Sequence, residues 1–383
     1  MRFVTAYIVT GLFLCTCLTA QINKDTTRRY ISSSDVIRKV VTIPIYALDS
    51  PSDLANYIKT HTDNEYDCVR FIFYWLAVNI EYDSAEQTHL ETASLEQNLQ
   101  SIFKEKKAIC ADYAALFKFL CEKCGIVSRI VDGWANTLDL SLLRLHAWNI
   151  VRINNIWYPV DVTWAAGNIS RGGSDINKII NLNTDFFLDA SLKYRRTHFP
   201  FDPVFQLSSS LINKLDFMNY DDDTDTFKQR GVCDYRKILN EETNLSPDEQ
   251  TLCSYKRAAE FLPEEPEVIQ NFHFYGLQLV QQLFEKLDST YKNLSAIHSQ
   301  ELSGSFNGDR AVFINELKKI SVSLEDILIV IEKIVYLDDA GKKQLLEENK
   351  LIIKDRLSII NEVISGLERL QSVYLPSLSK IKN

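Results

Sequence analysis

Residues 107–167 limit what this chain can fold into more than any other part of the sequence. They contain Cys110, His146 and Asp161 in that order. Cys110 starts an apolar run that predicts a helix, whereas His146 and Asp161 lie in or directly after two alternating runs that predict strands. The turn sequence Asn154-Asn155 between those runs predicts a hairpin. We therefore expect His146 and Asp161 to be neighbours on adjacent strands, with Cys110 on a helix packed against the sheet.

These residue types in this arrangement are typical of thiol catalysis. A cysteine attacks as the thiolate, which a helix N-terminus favours. A histidine within hydrogen-bond reach takes the thiol proton and later returns it to the leaving group. A carboxylate on the far side of the imidazole fixes its tautomer and orientation. The sequence thus predicts Cys110 as nucleophile, His146 as base and Asp161 as orienting residue, with no cofactor and no metal.

The three residues stand within a series of blocks that extends on both sides. The blocks are Phe73–Asp83, the helix that begins at Cys110, His146–Asn149, Asp161–Trp164, and Asp185–Leu188 followed by His198–Leu207. In this order they resemble the transglutaminase-like superfamily, which is similar in active-site logic to papain-like thiol proteases. The resemblance is strongest to the branch of kyphoscoliosis peptidases, fungal cytokinesis proteins and many secreted bacterial proteins. It covers roughly residues 50–215.

Two positions depart from the family pattern. The family often has glycine directly before the nucleophile, where this chain has Ile109, and the branch often has tryptophan where Phe205 stands. Neither change alters the three reactive groups, so the resemblance implies an intact Cys-His-Asp triad.

The resemblance also implies a fold class and an activity. The fold is α+β, with a cysteine-bearing helix packed on an antiparallel sheet as in papain-like enzymes, followed by an all-α bundle. The activity is acyl transfer at amide bonds of peptides or proteins, and we expect hydrolysis, by a peptidase or amidase, rather than crosslinking. Three alternatives stay open: a protein-glutamine transglutaminase, a glycan amidase, and a non-catalytic binding or scaffold protein with the same fold.

Acyl transfer also requires donors for the oxyanion that forms on the substrate. The backbone N–H of Cys110 is one candidate, and Tyr82 or Trp75 is the second by position in the family pattern. Trp148 and Trp164 flank the base and the orienting residue and are candidates for walls that exclude water. Core packing is the alternative role for all four aromatic residues.

The remaining histidine and cysteine residues receive structural interpretations. His198, two residues before a proline, is interpreted as structural. Cys121 and Cys124 follow the nucleophile on its helix, and we interpret them as small apolar residues rather than a redox or zinc motif. A bridge between Cys233 and Cys253 stays open, because sequence alone does not give the geometry.

The N-terminus is typical of an exported protein. Residues 1–20 combine Arg2, an apolar run over residues 3–17 and Ala20 before a predicted cleavage site, which predicts a signal peptide and a secreted or periplasmic location. Lipid attachment at Cys15 or Cys17 is the less favoured alternative, because the preceding residues fit a lipobox poorly. No later apolar run has the length of a membrane span.

The rest of the chain divides into four predicted parts. They are an N-terminal segment over 21–50, the transglutaminase-like core over 51–215, an acidic linker with short helices over 216–265, and a helical bundle over 266–383. Val40–Pro44 predicts an edge strand, and Asp221–Asp225 is interpreted as a linker, since it lacks the Gly and final Glu of a calcium loop. The amphipathic bundle carries no catalytic pattern, so we expect it to bind a protein partner. A net charge of −9 without a basic cluster argues against nucleic-acid binding.

Overall fold

A computed structural model gives the structure of the chain. It describes residues 34–83, 95–136, 143–167, 174–189, 192–219, 231–266, 310–333 and 340–379, together with single residues at 268, 285, 288, 289 and 292. The chain forms two compact units. The first contains Met1–Pro200 and Phe205–Arg236, and the second contains Phe201–Val204 and Lys237–Asn383.

A four-stranded antiparallel sheet forms the centre of the first unit. Its strands are β3 (Ser128–Asn136), β4 (Leu143–Ile153), β5 (Ile156–Val160) and β6 (His198–Pro200), in the spatial order β5-β4-β3-β6. The turn between β4 and β5 is made by Asn154 and Asn155, whose φ angles of 50° and 63° are those of a type I′ hairpin turn. This hairpin sets the register that pairs Asn149 with Val160.

Helices of the first unit supply most of its core. They are α1 (residues 34–41), α2 (Pro51–His61), α3 (Glu65–Asn79), α4 (Leu95–Glu105), α5 (Cys110–Lys123), α6 (Val162–Ala166), α7 (Asp175–Ile180), α8 (Leu192–Thr197) and α9 (Lys214–Met218). Helix α3 is buried without interruption over residues 68–77, which identifies it as the central helix of the core. Asn64 caps it by accepting the N–H of Asp67 at 2.9 Å.

Short elements complete the first unit. They are the parallel pair β1 (Glu81–Tyr82) and β2 (Lys107–Ala108), the antiparallel pair β7 (Ser210–Leu211) and β8 (Gly231–Val232), and single 3₁₀ turns at Ile45–Leu48 and Thr184–Phe186. A helix-bearing core around an antiparallel sheet confirms the α+β fold class.

The predicted edge strand at Val40–Pro44 is wrong. Residues 34–41 are helical, and Val36 and Val40 are both buried. Their spacing of four residues places both on the same side of a helix, so the packing of this side against the core decides the conformation.

The second unit is helical. Its described helices are α10 (Tyr235–Glu242), which belongs to this unit from Lys237 on, α11 (Pro247–Phe261), α12 (Arg310–Lys333) and α13 (Ala340–Ser379). Apolar side chains at helical spacing form its core, namely Leu252, Ala259, Ile314, Leu317, Ile320, Leu324, Ile353, Leu357, Ile360 and Ile364. A buried ion pair adds to it, since Arg257 donates to both Asp202 and Glu242.

Some predictions fall on residues outside those described. These are the signal peptide over 1–20 with Cys15 and Cys17, the acidic run Asp221–Asp225, and most of the first predicted bundle helix. Within the described residues, every helix is too short or too polar to cross a membrane.

Candidate active site

Cys110 is the first residue of α5 and is half-buried. Strand β2 ends two residues earlier and pairs with β1, which fixes the chain as it enters the helix. The Ile109 N–H donates to Oδ2 of Asp112 at 3.1 Å, while the next N–H groups have no partner within the helix. The side chain of Asn149 in β4 donates to the carbonyl of Ala114 at 3.0 Å and so ties α5 to the sheet.

His146 and Asp161 are brought together by the β4–β5 hairpin. His146 lies in β4, and Asp161 directly follows β5 as the N-cap of α6. Nε2 of His146 is 2.7 Å from Oδ2 of Asp161, and Oδ1 of Asp161 accepts the N–H of Trp164 at 3.0 Å. Because Nε2 of His146 is engaged by Asp161, Nδ1 is the nitrogen left to accept a proton from Cys110.

The charges of the pair are set by burial and by the partners. Burial opposes an imidazolium, but the Asp161 carboxylate and the Cys110 thiol outweigh it and raise the pKa of His146 to about 10. Burial also opposes a carboxylate, yet His146 and His198 hold the pKa of Asp161 well below its usual range. His146 is therefore a cation and Asp161 an anion at neutral pH.

His198, which the sequence led us to expect as a structural residue, also belongs to this cluster. Its Nε2 is 3.0 Å from the same Asp161 oxygen that binds His146, and its side chain is fully buried. Burial, aided by the charge of His146, lowers the pKa of His198 although Asp161 opposes this. Strand β6, which carries it, is only three residues long. Such a strand shows little sequence periodicity, and the His-Phe-Pro block was the one signal available.

The same three residues could also form a metal site, because the ligand atoms of His146, Asp161 and His198 lie within 4.8 Å of one another. The distances favour hydrogen bonding instead. Two ligands of a tetrahedral zinc ion are separated by about 3.3 Å, given bond lengths near 2.0 Å. Nε2 of His146 and Oδ2 of Asp161 are 2.7 Å apart, and the second imidazole is 3.0 Å from that oxygen. Direct proton sharing fits these contacts better than coordination.

The predicted aromatic residues occupy different places. The ring centroids of Trp148 and Trp164 lie 5.9 Å and 5.7 Å from that of His146, so both indoles are neighbours of the imidazole. Tyr82 is 47% exposed and, with Lys106, lines a cavity of about 340 Å³. Trp75, the other candidate for the second oxyanion donor, is fully buried in the core and stacks on Phe103. Helix α3 is buried all round, which explains this difference.

The other described cysteines do not form bridges. Cys121 is buried in the core, and burial raises the pKa of its thiol well above the ordinary value. The Cys124 thiol donates to the carbonyl of Ala55 at 3.6 Å. Cys233 and Cys253, both among the described residues, are not joined by a disulfide bond, so the bridge left open by the sequence is not formed between them.

Comparison with known proteins extends these observations. The family model of the transglutaminase-like superfamily matches residues 52–162, the segment that contains Cys110, His146 and Asp161. Kyphoscoliosis peptidase from Homo sapiens is 28% identical over 155 residues, which are 39% of this chain and 22% of that protein. Kyphoscoliosis peptidase from Mus musculus is 26% identical over 207 residues, 50% of this chain and 30% of that protein.

Among solved structures, the periplasmic domain of TgpA from Pseudomonas aeruginosa is 19% identical. The match covers 34% of this chain and 47% of that one, with a TM-score of 0.25. The chain spans less than a third of the length of the two curated relatives.

Proposed function

Since residues 52–162 form a domain of the transglutaminase-like superfamily, we propose that this chain is a thiol enzyme that transfers acyl groups from amide bonds of peptides or proteins. One observation carries the proposal. His146 bonds to Asp161 through Nε2 at 2.7 Å and interacts with the Cys110 thiol at the N-terminus of α5. This order of nucleophile, base and orienting carboxylate is what thiol acyl transfer requires.

The reaction proceeds in two half-reactions. In the resting site Nδ1 of His146 already holds the proton given up by the Cys110 thiol, and the thiolate of this ion pair attacks the amide carbonyl carbon to give a tetrahedral oxyanion near the Cys110 N–H. His146 then returns its proton to the leaving amine, the C–N bond breaks, and a thioester on Cys110 remains. Water attacks that thioester with His146 as base, which yields a carboxylic acid and restores the thiol.

The surrounding residues support this chemistry. Asp161 accepts the Nε2–H of His146, so that Nδ1 is the nitrogen that exchanges a proton with the thiol. Trp148 and Trp164 lie beside the imidazole and limit the access of water to the ion pair. Tyr82 is the side-chain candidate for the second oxyanion donor, whereas Trp75 has no part in the proposal.

We extend the proposal to location, acceptor and partner. The predicted signal peptide places the enzyme outside the cell or in the periplasm, where water is the abundant acceptor, so hydrolysis is proposed over crosslinking. The helical second unit is proposed to bind a protein partner.

The acyl-enzyme itself is the test. The full chain is mixed with p-nitrophenyl acetate, quenched in acid and examined by intact mass and peptide mapping. We expect one acetyl group on Cys110, none on the Cys110→Ala variant, and an unchanged yield for Cys121→Ala, which alters another cysteine of the same helix. Equal acetylation of the wild type and of Cys110→Ala contradicts the proposal.

A chase experiment distinguishes the acceptors. The acetylated enzyme is transferred to buffer with and without an excess of a primary amine, and the lifetime of the acetyl group is followed. A hydrolase loses the group at a rate that the amine leaves unchanged. A strong acceleration by the amine, with acetylated amine as product, identifies a transamidase instead.

A further inference from the structure

The second imidazole on Asp161 has a defined role in this site, and we propose that His198 is a positioning residue that holds the Asp161 carboxylate in place for His146. The inference rests on the proposed function and deepens it. It concerns a residue that acts through Asp161 and does not touch the substrate.

The first argument is the hydrogen-bond geometry. Oδ2 of Asp161 lies 2.7 Å from Nε2 of His146 and 3.0 Å from Nε2 of His198, while Oδ1 accepts the Trp164 N–H at 3.0 Å. The carboxylate therefore has three contacts within hydrogen-bond distance, two of them on one oxygen. A carboxylate held by a single imidazole could rotate about its side-chain bonds, whereas three contacts leave one orientation.

The second argument is that His198 is itself fixed. Its Nδ1 is 2.8 Å from the hydroxyl of Thr197, and the ring of Tyr194 stacks on it at 4.2 Å with planes 11° apart. Trp164 packs at 4.9 Å on the same imidazole. Strand β6 pairs His198 with Ala135 of β3, so its backbone belongs to the central sheet. A side chain confined in this way can define the position of its partner.

The third argument concerns which imidazole carries the charge. The pKa of His146 is raised and that of His198 is lowered, because His198 is buried among aromatic rings and close to the His146 cation. A neutral His198 donates Nε2–H to the carboxylate without competing for the proton that His146 needs. The two imidazoles on one oxygen thus differ in function, and His146 alone exchanges protons with Cys110.

Matched amide substitutions separate positioning from packing. In His198→Gln the amide nitrogen reaches the place of Nε2 and can still donate to Asp161, whereas in His198→Asn it reaches only the place of Nδ1, on the Thr197 side. Both replacements are neutral and polar. His198→Phe keeps a ring and removes both nitrogens.

The experiment measures the rate of Cys110 acetylation by p-nitrophenyl acetate from pH 4 to pH 9. We expect losses of about 10- to 100-fold for His198→Asn and His198→Phe, the usual range for residues that orient a reactive group, and a rate close to wild type for His198→Gln. A loosened Asp161 carboxylate leaves the His146 imidazolium less well placed to stabilise the Cys110 thiolate, so the acidic limb of the profile moves to higher pH in the Asn and Phe variants. The limb of the Gln variant stays in place.

Two results have distinct meanings. In the first result, the Gln and Asn variants have equal rates and unshifted acidic limbs, while the wild-type rate still depends on His146. This result overturns the role of His198 and leaves the proposed function intact. A wild-type rate that does not change in His146→Ala overturns the proposed function, and the role of His198 falls with it. Thermal unfolding of each variant reports packing separately, since a purely structural residue lowers stability without moving the pH limb.

Discussion

Replacing Asp161 by asparagine changes a single atom and reverses a hydrogen bond at the centre of the site. Oδ1 of Asp161 accepts the Trp164 N–H at 3.0 Å, and Oδ2 faces Nε2 of His146 at 2.7 Å. An asparagine that keeps the bond to Trp164 presents its NH₂ group in place of Oδ2. His146 must then face this donor with a bare Nε2 and carry its proton on Nδ1, the nitrogen that should accept the thiol proton.

The expected fall in the acylation rate follows from the hydrogen bond to the Asp161 carboxylate that the His146 imidazolium loses. A hydrogen bond to a charged group contributes about 1.5–3 kcal/mol, and the wrong tautomer adds to this because the proton occupies the reactive nitrogen. The same change lowers kcat by about 10⁴-fold in Ser-His-Asp triads. We expect a fall of about 10³- to 10⁴-fold in acylation of Cys110, equivalent to about 4–5.5 kcal/mol.

The assay is stopped-flow release of p-nitrophenolate at pH 7, with Cys110→Ala as background. Asp132→Asn makes the same chemical change in the neighbouring strand β3 and should acylate at the wild-type rate. An Asp161→Asn protein that is folded and acylates nearly as fast as wild type refutes the orienting role of this carboxylate.

Three further predictions concern stability. Gly133→Ala places a Cβ 2.3 Å from the Phe199 carbonyl oxygen, so the free energy of unfolding should fall by about 1–3 kcal/mol. An unchanged midpoint temperature of thermal unfolding contradicts this prediction. Burial raises the pKa of Asp132 to about 6, so its carboxylate destabilises the folded state once the pH exceeds the ordinary pKa of an aspartate. Asp132→Asn should therefore raise the free energy of unfolding by about 1–3 kcal/mol at pH 8, and this gain should fade as the pH falls from about 6 to about 4. A gain that is equal at pH 4 and pH 8 disproves the assignment. Arg257→Met leaves Asp202 and Glu242 buried without their cation, so the free energy of unfolding measured with denaturant should fall by about 3–5 kcal/mol. An unchanged free energy of unfolding contradicts this expectation.

The local parts of the fold were predictable because short-range rules decide them. The helix that begins at Cys110 and the Asn154-Asn155 turn follow from apolar spacing and from the positive φ that asparagine tolerates. The turn fixes the register of β4 and β5, and this register alone places His146 beside Asp161. Two of the three proposed catalytic groups could therefore be paired without knowledge of the remaining chain.

Contacts between distant segments were harder to predict. His198 is separated from Asp161 by 37 positions and returns to the site through β6, whose three residues have no recognisable period. Val40 and Val41 are β-branched and favoured a strand by propensity, but packing of Val36 and Val40 against the core placed this segment in a helix. Trp75 fits the family position of a site residue, yet the density of apolar residues along α3 puts it in the interior.

The reactivity of Cys110 reports whether a thiolate–imidazolium pair exists in this site. Iodoacetamide labelling at pH 6 is measured in the wild type and in His146→Ala, with Cys110→Ala as background, because an ordinary thiol reacts slowly at this pH. We expect rapid labelling of Cys110 in the wild type and a sharp decrease without His146. If Cys110 reacts like an ordinary thiol, or is inert with or without His146, the thiolate–imidazolium pair does not exist and a binding protein with this fold becomes the better explanation.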